Sequence, residues 1–253
     1  MFYEPGKTSH GLPHDPFKAC VVPRPIGWIS TVSLPGANDN PSTGEDVRHN
    51  LAPYSQFNNL TFDPPYIVFS ANQQPAGHGQ SRQKDTVRNV EATGVFVWNL
   101  ATWDLREAVN ITAEQVPHGV DEFERAGLEK EFSQVTERVR VPMVKASPVK
   151  FECVYHTTLR VPGTPPLGMA DVVIGRVVGV HIADWALSAD GKLDVKKTLP
   201  IARCGYYEYT VLRETFEMII PGTDEMILAG LEGSSARVDS VGRSKGKGSG
   251  SKL

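Results

Sequence analysis

Runs of apolar and β-branched residues, separated by turn-forming clusters, dominate the first third of the chain. The runs at 26–34, 51–60 and 66–71 are rich in Ile, Val, Thr, Tyr and Phe, and Pro, Gly, Asn or Asp bound them. Such residues fit a pleated, half-buried surface, so these runs predict strands. Pro53 lies inside the second run and cannot donate a ladder hydrogen bond. That strand is therefore expected at a sheet edge or a bulge.

The period of the pattern then changes towards that of a helix. The segment at 84–94 has Asp85, which can cap a helix, near its start and ends on Gly94, which suits a left-handed C-terminal position. Residues 103–114 carry apolar side chains near helical spacing, and DEFERAG at 121–127 is a further candidate for a short helix. These three segments predict short helices inserted between strands.

Longer strand patterns fill the rest of the apolar sequence. Further strands are predicted at 95–101, 149–161, 171–184 and 204–212. Gly175 and Gly179 fall inside the longest of them and predict local bends. Many strands with a few inserted helices are typical of a mainly β fold. We therefore expect a closed antiparallel barrel with helical caps and not a parallel, doubly wound sheet.

Composition divides the chain into an arm, one folded domain and an extension. Residues 1–25 hold many Pro, Gly and His but no sustained period, so they are predicted to pack over the domain or over a neighbour. Residues 26–222 hold the predicted elements. The extension, 223–253, becomes rich in Gly, Ser and Lys, and such a tail is predicted to be disordered. Its last residues, Ser251–Leu253, match a peroxisomal address, which is read only in a host with peroxisomes.

Charge and cysteine content narrow the classes of partner. The 26 basic and 29 acidic residues give a formal net charge of −3, so no electrostatic excess favours nucleic acid or an acidic membrane. No run approaches the roughly 18 apolar residues of a membrane helix. The three cysteines are widely separated and form no CxxC pair, and no apolar leader precedes them. We expect a cytoplasmic chain with a small molecule as partner and no metal site.

The densest local chemistry lies in the segment SRQKDTVRN, residues 81–89. Arg82 and Lys84 directly precede the predicted helix, and Thr86 lies in its first turn. A helix N-terminus offers free backbone N–H groups and partial positive charge, so two cations and a hydroxyl placed there can hold a phosphate. The alternative is a solvated surface helix with an ordinary Asp cap.

A second segment suited to a ligand is NLAPYSQFNN, residues 50–59. It alternates small or polar side chains with Leu51, Tyr54 and Phe57, and Pro53 interrupts the ladder so that neighbouring amides can face a ligand. A flat cofactor such as a flavin ring needs apolar cover on its faces and a few hydrogen bonds at its rim. An edge strand without a ligand explains this segment equally well.

The order of these segments resembles that of the flavin reductase-like, FMN-binding split-barrel family, which includes the flavoredoxins. The segments that carry the resemblance are RPIGWIST (24–31), NLAPYSQFNN (50–59), FDPPYIVFS (62–70), KDTVRNVEATGVFVWNL (84–100), VKFECVY (149–155), VIGRVVGVHI (173–182) and PIARCGYYEY (200–209). They cover nearly everything except the arm and the tail. The resemblance implies a split antiparallel β-barrel with inserted helices that binds FMN as a homodimer, with the flavin near the subunit interface.

The resemblance also implies the residues of the site. In the family, the strand that matches NLAPYSQF lines the isoalloxazine, the KDT segment takes the phosphate, and two further strands approach the ring or the ribityl chain. The implied FMN contacts are Ser30, Thr31, Asn50, Ala52, Pro53, Tyr54, Ser55, Phe57, Phe69, Ser70, Arg82, Lys84 and Thr86. No catalytic side chain is implied, because the flavin itself carries the hydride or the electrons.

One departure from the family concerns the electron donor. Reductases that partner monooxygenases often place a His five residues before a GxV strand motif, where it helps to receive nicotinamide; this chain has Ala170 there. His181, on the same predicted strand, is the substitute candidate, against a purely structural role. The resemblance implies an oxidoreductase that uses NADH or NADPH. The alternatives are a flavoredoxin-type electron carrier and a non-catalytic module that binds pyridoxal phosphate, haem or coenzyme F420.

Overall fold

The structure is a computed structural model. It describes residues 1–34, 47–77, 80–136, 139–164, 168–218 and 220–221. Internal contacts divide the chain into two units, Met1–Arg213 and Glu214–Leu253, and the helices and strands below belong to the first. The predicted disordered tail, with the Ser251–Leu253 address, lies outside the described residues. The predicted boundaries of the arm and the barrel domain stay predictions.

Antiparallel strands account for most of the first unit. The strands are β1 (Arg24–Pro25), β2 (Gly27–Val32), β3 (His49–Tyr54), β4 (Phe57–Phe62), β5 (Pro65–Asn72), β6 (Gln74–Gly77), β7 (Gln80–Arg82), β8 (Val95–Asn99), β9 (Lys130–Phe132), β10 (Pro142–Val144), β11 (Val149–Val161), β12 (Ala170–Ile182), β13 (Ile201–Arg203) and β14 (Tyr209–Val211). The helices are α1 (Phe17–Cys20), α2 (Asp85–Thr93), α3 (Arg106–Ile111), α4 (Glu122–Arg125) and α5 (Val195–Thr198), with a 3₁₀ turn at Asp184–Ala186. The described residues therefore have the mainly β fold with inserted helices that the sequence predicts.

Seven of these strands form one antiparallel sheet in the order β3-β2-β8-β11-β12-β5-β4. Its two end strands, β3 and β4, are consecutive in the chain and only Ser55 and Gln56 separate them, so the sheet must curl until its ends meet. At this seam the backbone N–H of Ser70 donates to the Gln56 carbonyl (2.8 Å). The rings of Tyr54 and Phe69 also contact each other beside it, 5.1 Å between centroids. The sheet is thus the predicted barrel.

Large apolar side chains fill the barrel. Ile29, Phe69 and Phe96 are fully buried in one cluster. Gly175 of β12 faces this cluster, and a Cβ there would lie 2.3 Å from the Phe96 ring. The β11–β12 ladder shifts register beside both Gly175 and Gly179. The predicted irregularities at these two glycines are therefore confirmed, because close packing and bulges leave no room for side chains there.

The predicted strand at 51–60 is wrong in its extent. The seam at Ser55 and Gln56 divides it into β3 and β4. β3 is an end strand of the seven-stranded sheet and pairs only with β2 among the described strands. The edge position predicted from Pro53 is therefore confirmed.

Two other predicted elements differ in detail. Gly94 ends α2 in the left-handed conformation (φ 75°), as predicted, but Lys84 occupies the N-cap and Asp85 is the first helical residue. The predicted strand at 204–212 is a turn followed by β14, and Tyr206 in that turn has a positive φ of 52°. A residue with a side chain in this region requires neighbouring contacts that hold it there.

The N-terminal arm packs against the β13–β14 hairpin. β1 pairs with β13, and the Arg24 guanidinium donates to the backbone carbonyls of Lys18 and Val21 at the end of α1. The His14 ring meets the Tyr206 ring edge-on, with centroids 5.7 Å apart. The arm therefore covers the domain. Within the described ranges, no helix has the length and apolar character that crossing a membrane requires.

Candidate functional site

A narrow groove of about 100 Å³ lies between β3 and the N-terminus of α2. Seven of the predicted contact residues line it: Asn50, Ala52, Pro53, Tyr54, Arg82, Lys84 and Thr86. They come from two segments about thirty residues apart in the sequence. The fold therefore brings together the two segments in which the sequence predicts ligand chemistry.

Basic and hydroxyl groups mark the α2 end of the narrow groove. Lys84 is the cap residue of α2, and burial lowers the pKa of its ammonium group, with Asp85 opposing this effect. Thr86 is buried in the first turn, and its Oγ1 accepts a hydrogen bond from the Asn50 amide (2.9 Å). This bond fixes β3 against the helix. Backbone N–H groups at the start of α2 and the cations Arg82 and Lys84 therefore lie at the same end of the groove.

The acidic residue at this helix end is already engaged. Asp85 pairs with Arg88 at 3.2 Å and with His118 at 3.1 Å. The Arg88 guanidinium offsets its negative charge, so the cations of the groove keep their attraction for an anion. His118 lies on the groove wall. The sequence does not indicate this position, because the stretch from 116 to 141 predicts only a short helix and a polar connection.

A buried carboxyl and a buried phenol complete the wall. Glu122 is 8% exposed, and burial, which outweighs the hydrogen bond from the Leu51 N–H (3.0 Å), raises its pKa to about 7. Burial also raises the pKa of the Tyr54 hydroxyl, although Thr86 lies close enough to oppose this in part. Among the described residues, no hydrogen bond of standard geometry reaches that hydroxyl oxygen. A polar atom so placed is available to a ligand.

A wide cavity of about 710 Å³ adjoins the narrow groove. Pro53 and Ala113 line both spaces. On the barrel side the wide cavity is lined by Ser55, Gln56 and Asn72 at the seam and the end of β5. The two spaces form one elongated cleft, with a narrow end beside the start of α2 and a broad end.

Five of the predicted contact residues lie outside this cleft. Ser30, Thr31 and Phe69 are fully buried. The hydroxyls of Ser30 and Thr31 accept hydrogen bonds from core amides, and Phe57 stacks on Trp98 at 5.4 Å between ring centroids. Ser70 is half-buried and lines neither space. The structure gives these residues partners in the barrel wall and core.

His181 also lies away from the cleft. Its Nε2 is 2.7 Å from Oε1 of the fully buried Glu152, which accepts backbone N–H groups of Gln134 and Val135 as well. Ala170, at the other end of β12, pairs with Asn72 of the wide cavity. The position at which related reductases often have His is therefore beside the cavity, whereas His181 lies further along β12 and contacts Glu152.

The family described as "Flavin reductase like domain" matches residues 19–196. This chain belongs to that family. Two family relatives, from Aquifex aeolicus and Halalkalibacterium halodurans, are each 34% identical to it. The matches cover 74% of this chain and 84% of the first relative, and 79% of this chain and 87% of the second.

Solved structures of flavin reductase-like proteins have the same fold. Nitrilotriacetate monooxygenase component B from Bacillus cereus is 29% identical, with a TM-score of 0.71 over 86% of this chain and 98% of that one. The flavoredoxin of Desulfovibrio vulgaris is 17% identical, with a TM-score of 0.62 over 85% and 98%. A Shewanella frigidimarina protein with a split barrel domain is 21% identical, with a TM-score of 0.56 over 77% and 86%. The chain is a flavin reductase-like split-barrel flavoprotein.

Proposed function

We propose that this chain binds FMN and passes reducing equivalents from NADH or NADPH to flavin or to another acceptor. The observation that carries the proposal is the cleft, in which a narrow groove with Arg82 and Lys84 at one end opens into a wide cavity at Pro53. Bound FMN would supply the hydride or electron transfer. The chain would bind the cofactor, orient it and leave one side of the cleft open to a substrate.

The residues of the narrow groove fit a phosphate monoester. Lys84, Thr86 and Arg82 provide cations and a hydroxyl beside the first-turn amides of α2, which together can form several charge-assisted hydrogen bonds. With Asp85 engaged by Arg88, the charge that remains at the helix end is positive. FMN is a flavin that ends in a phosphate monoester, so this end of the cleft supports its assignment.

The junction of groove and cavity fits the flat part of the cofactor. Pro53 of β3 lies at the junction, and the neighbouring residues Ala52, Tyr54 and Ser55 also line the cleft. An end strand leaves backbone groups unpaired on one side, and such groups can hydrogen-bond the rim of a flavin. The Tyr54 hydroxyl is a further partner for the ribityl chain in this assignment.

A flavoredoxin-type electron carrier is the second candidate. Ala170 favours it, because the position that often receives nicotinamide lacks a His and lies beside the wide cavity. Steady-state oxidation of NADH and NADPH, with FMN added, distinguishes the two. Turnover with either nucleotide supports the reductase, whereas a yellow protein that oxidises neither nucleotide supports the carrier. A colourless protein that does not bind added FMN contradicts both candidates and favours a module for another cofactor.

Replacing Lys84 by Ala is expected to weaken FMN binding by roughly 1–2 kcal/mol, the lower range for a charge-assisted hydrogen bond, since Lys84 is half-exposed. This equals a dissociation constant about fivefold to thirtyfold higher. Quenching of flavin fluorescence measures it. Lys196→Ala, on the exposed face of α5 and outside the cleft, is the matched control and is expected to keep the wild-type affinity. Equal affinities of the two variants would remove Lys84 from the phosphate site.

We also propose that the chain forms a homodimer. Val178, Val180 and Ile182 alternate along β12, so they share one face of the sheet, and they are 37%, 57% and 41% exposed. Contiguous exposed apolar side chains mark interaction surfaces. Sedimentation equilibrium is expected to give twice the chain mass of 27.7 kDa. The mass of one chain at micromolar concentration would contradict the dimer.

A further inference from the structure

The outer wall of the wide cavity comes from segments beyond the matched family domain. The family match spans residues 19–196. The lining residues that fall outside it are Pro13, His14, Asp15 and Lys18 of the arm and Arg203, Tyr206, Tyr207 and Tyr209 of the β13–β14 hairpin. The groove at α2 lies wholly inside the matched domain. The arm and the hairpin therefore supply the part of the cavity wall that lies outside the matched range.

Positive charge collects on this outer wall. Lys18 and Arg203 of the outer wall line the cavity together with Arg24 of the adjoining strand β1, and Asp15 is the one acidic residue among the described lining residues. None of the three cations pairs with a carboxylate within the part of the chain that the structure describes. Asp15 itself accepts the Phe17 N–H at 2.9 Å. The wall therefore carries an excess of positive charge that a polyanion can neutralise.

Two of these cations are held in place by neutral partners. The Arg24 guanidinium donates to backbone carbonyls of the arm, and its Nε is buried without a partner among the described residues. Arg203 donates to the Tyr206 carbonyl, and its Cζ lies 4.6 Å from the Tyr209 ring centroid. Carbonyls and rings orient a guanidinium without cancelling its charge, so both groups are preorganised for an anion.

The same contacts position aromatic rings at the mouth of the cavity. Arg203 holds the carbonyl of Tyr206, the residue with φ 52°, and the His14 ring packs edge-on against the Tyr206 ring. Tyr206 is 48% exposed and Tyr207 is 95% exposed. Exposed phenol rings beside cations are suited to stack on a flat base that carries phosphates.

We propose that the outer wall of the wide cavity binds the adenosine diphosphate half of the nicotinamide dinucleotide. This inference rests on the proposed function, since it places the electron donor in the same cleft as the flavin. Three cations suit a pyrophosphate better than a single carboxylate, and the tyrosine rings suit the adenine. A volume of about 710 Å³ leaves room for the nicotinamide half to extend towards Pro53 and the flavin.

The proposal is tested with ADP-ribose, which carries the pyrophosphate and the adenosine but no nicotinamide. Calorimetric titration of the FMN-loaded protein is expected to show binding that NADH displaces. Lys18→Glu reverses a charge on an exposed side chain of α1 and is expected to weaken ADP-ribose binding at least about tenfold, the effect of losing one charge-assisted contact. Lys196→Glu, exposed on α5 and outside the cavity, makes the same change and is expected to bind as the wild type does.

A second variant keeps the test decisive if Lys18→Glu displaces the arm from the domain. Arg203→Lys keeps the positive charge but not the planar group that holds the Tyr206 carbonyl, so ADP-ribose affinity is expected to fall while that for FMN stays unchanged. Failure of ADP-ribose to bind a protein that binds FMN and oxidises NADH overturns this inference and leaves the proposed function standing. Inorganic pyrophosphate that binds as tightly as ADP-ribose overturns the nucleotide assignment. Absence of FMN binding overturns the proposed function itself.

Discussion

Replacing Phe69 by Ala is expected to lower the free energy of unfolding by about 3–5 kcal/mol, the range for removing a buried aromatic ring. Phe69 is fully buried, and its ring lies 5.1 Å from that of Tyr54 and 5.6 Å from that of Phe96, between centroids. The cavity left behind cannot close without moving the barrel wall. Urea unfolding, followed by tryptophan fluorescence, measures the loss.

The same substitution separates a core role from a role in the site. The resemblance to the family implies Phe69 as an FMN contact, whereas the structure places it outside the cleft. Phe69→Leu retains most of the volume, so it is expected to fold and to bind FMN as the wild type does. Phe62→Ala, at a position 67% exposed on β4, is the control for stability and is expected to change it by less than about 0.5 kcal/mol. A tenfold loss of FMN affinity in Phe69→Leu would return the residue to the site.

Replacing Glu122 by Gln is expected to reduce the change of the free energy of unfolding with pH by about 2–3 kcal/mol. This magnitude follows from the shift of the Glu122 pKa from 4.5 to about 7, with an allowance for partial exposure. In the unfolded chain this carboxyl ionises near pH 4.5, but in the folded protein it keeps its proton until about pH 7. The protonated carboxyl therefore stabilises the folded protein fully below pH 4.5, and this stabilisation is lost as the pH rises to 7. Gln does not ionise, and its carbonyl can still accept the Leu51 N–H.

Urea unfolding of the wild type and of Glu122→Gln at pH 5 and pH 8 measures this difference. The free energy of unfolding of the variant, relative to that of the wild type, is expected to be about 2–3 kcal/mol higher at pH 8 than at pH 5. Glu124→Gln, on the same helix with its side chain 79% exposed, is the control and is expected to follow the wild type at both pH values. If the stability difference between Glu122→Gln and the wild type is the same at both pH values, the carboxyl is ionised throughout and its burial does not govern its titration.

Much of the cleft can be predicted from the sequence because its chemistry is local. Lys84 and Thr86 flank the start of one helix, and Pro53 marks an end strand within a few residues. The contact that joins the two segments, Asn50 to Thr86, follows once both elements are in place. Sequence reasoning therefore succeeds where a short segment carries its own hydrogen-bonding and charge signals.

The predicted contact residues that lie outside the cleft are positioned by contacts between distant elements. All six residues of β2 are buried, because helix α2 covers one of its faces, and the Asn89 amide of that helix donates to Thr31. The alternation of apolar and polar residues along a strand does not show that a helix packs on its second face. Ser30 and Thr31 therefore have the composition of a ligand-facing strand but lie in the core. The arm's pairing with β13 is equally non-local, so no pattern near Lys18 predicts that it lines a cavity.

The division of the cleft between the matched domain and its flanking segments has a consequence for how the protein can change. Residues that hold the proposed cofactor lie on α2 and β3, whereas the arm and the β13–β14 hairpin supply the outer wall. Among the described residues, Pro53 and Ala113 line both parts of the cleft. Under the proposed function, replacing the arm or the hairpin would then alter the choice of co-substrate while the affinity for flavin persists. The barrel would hold the cofactor, and the arm and the hairpin would select the co-substrate.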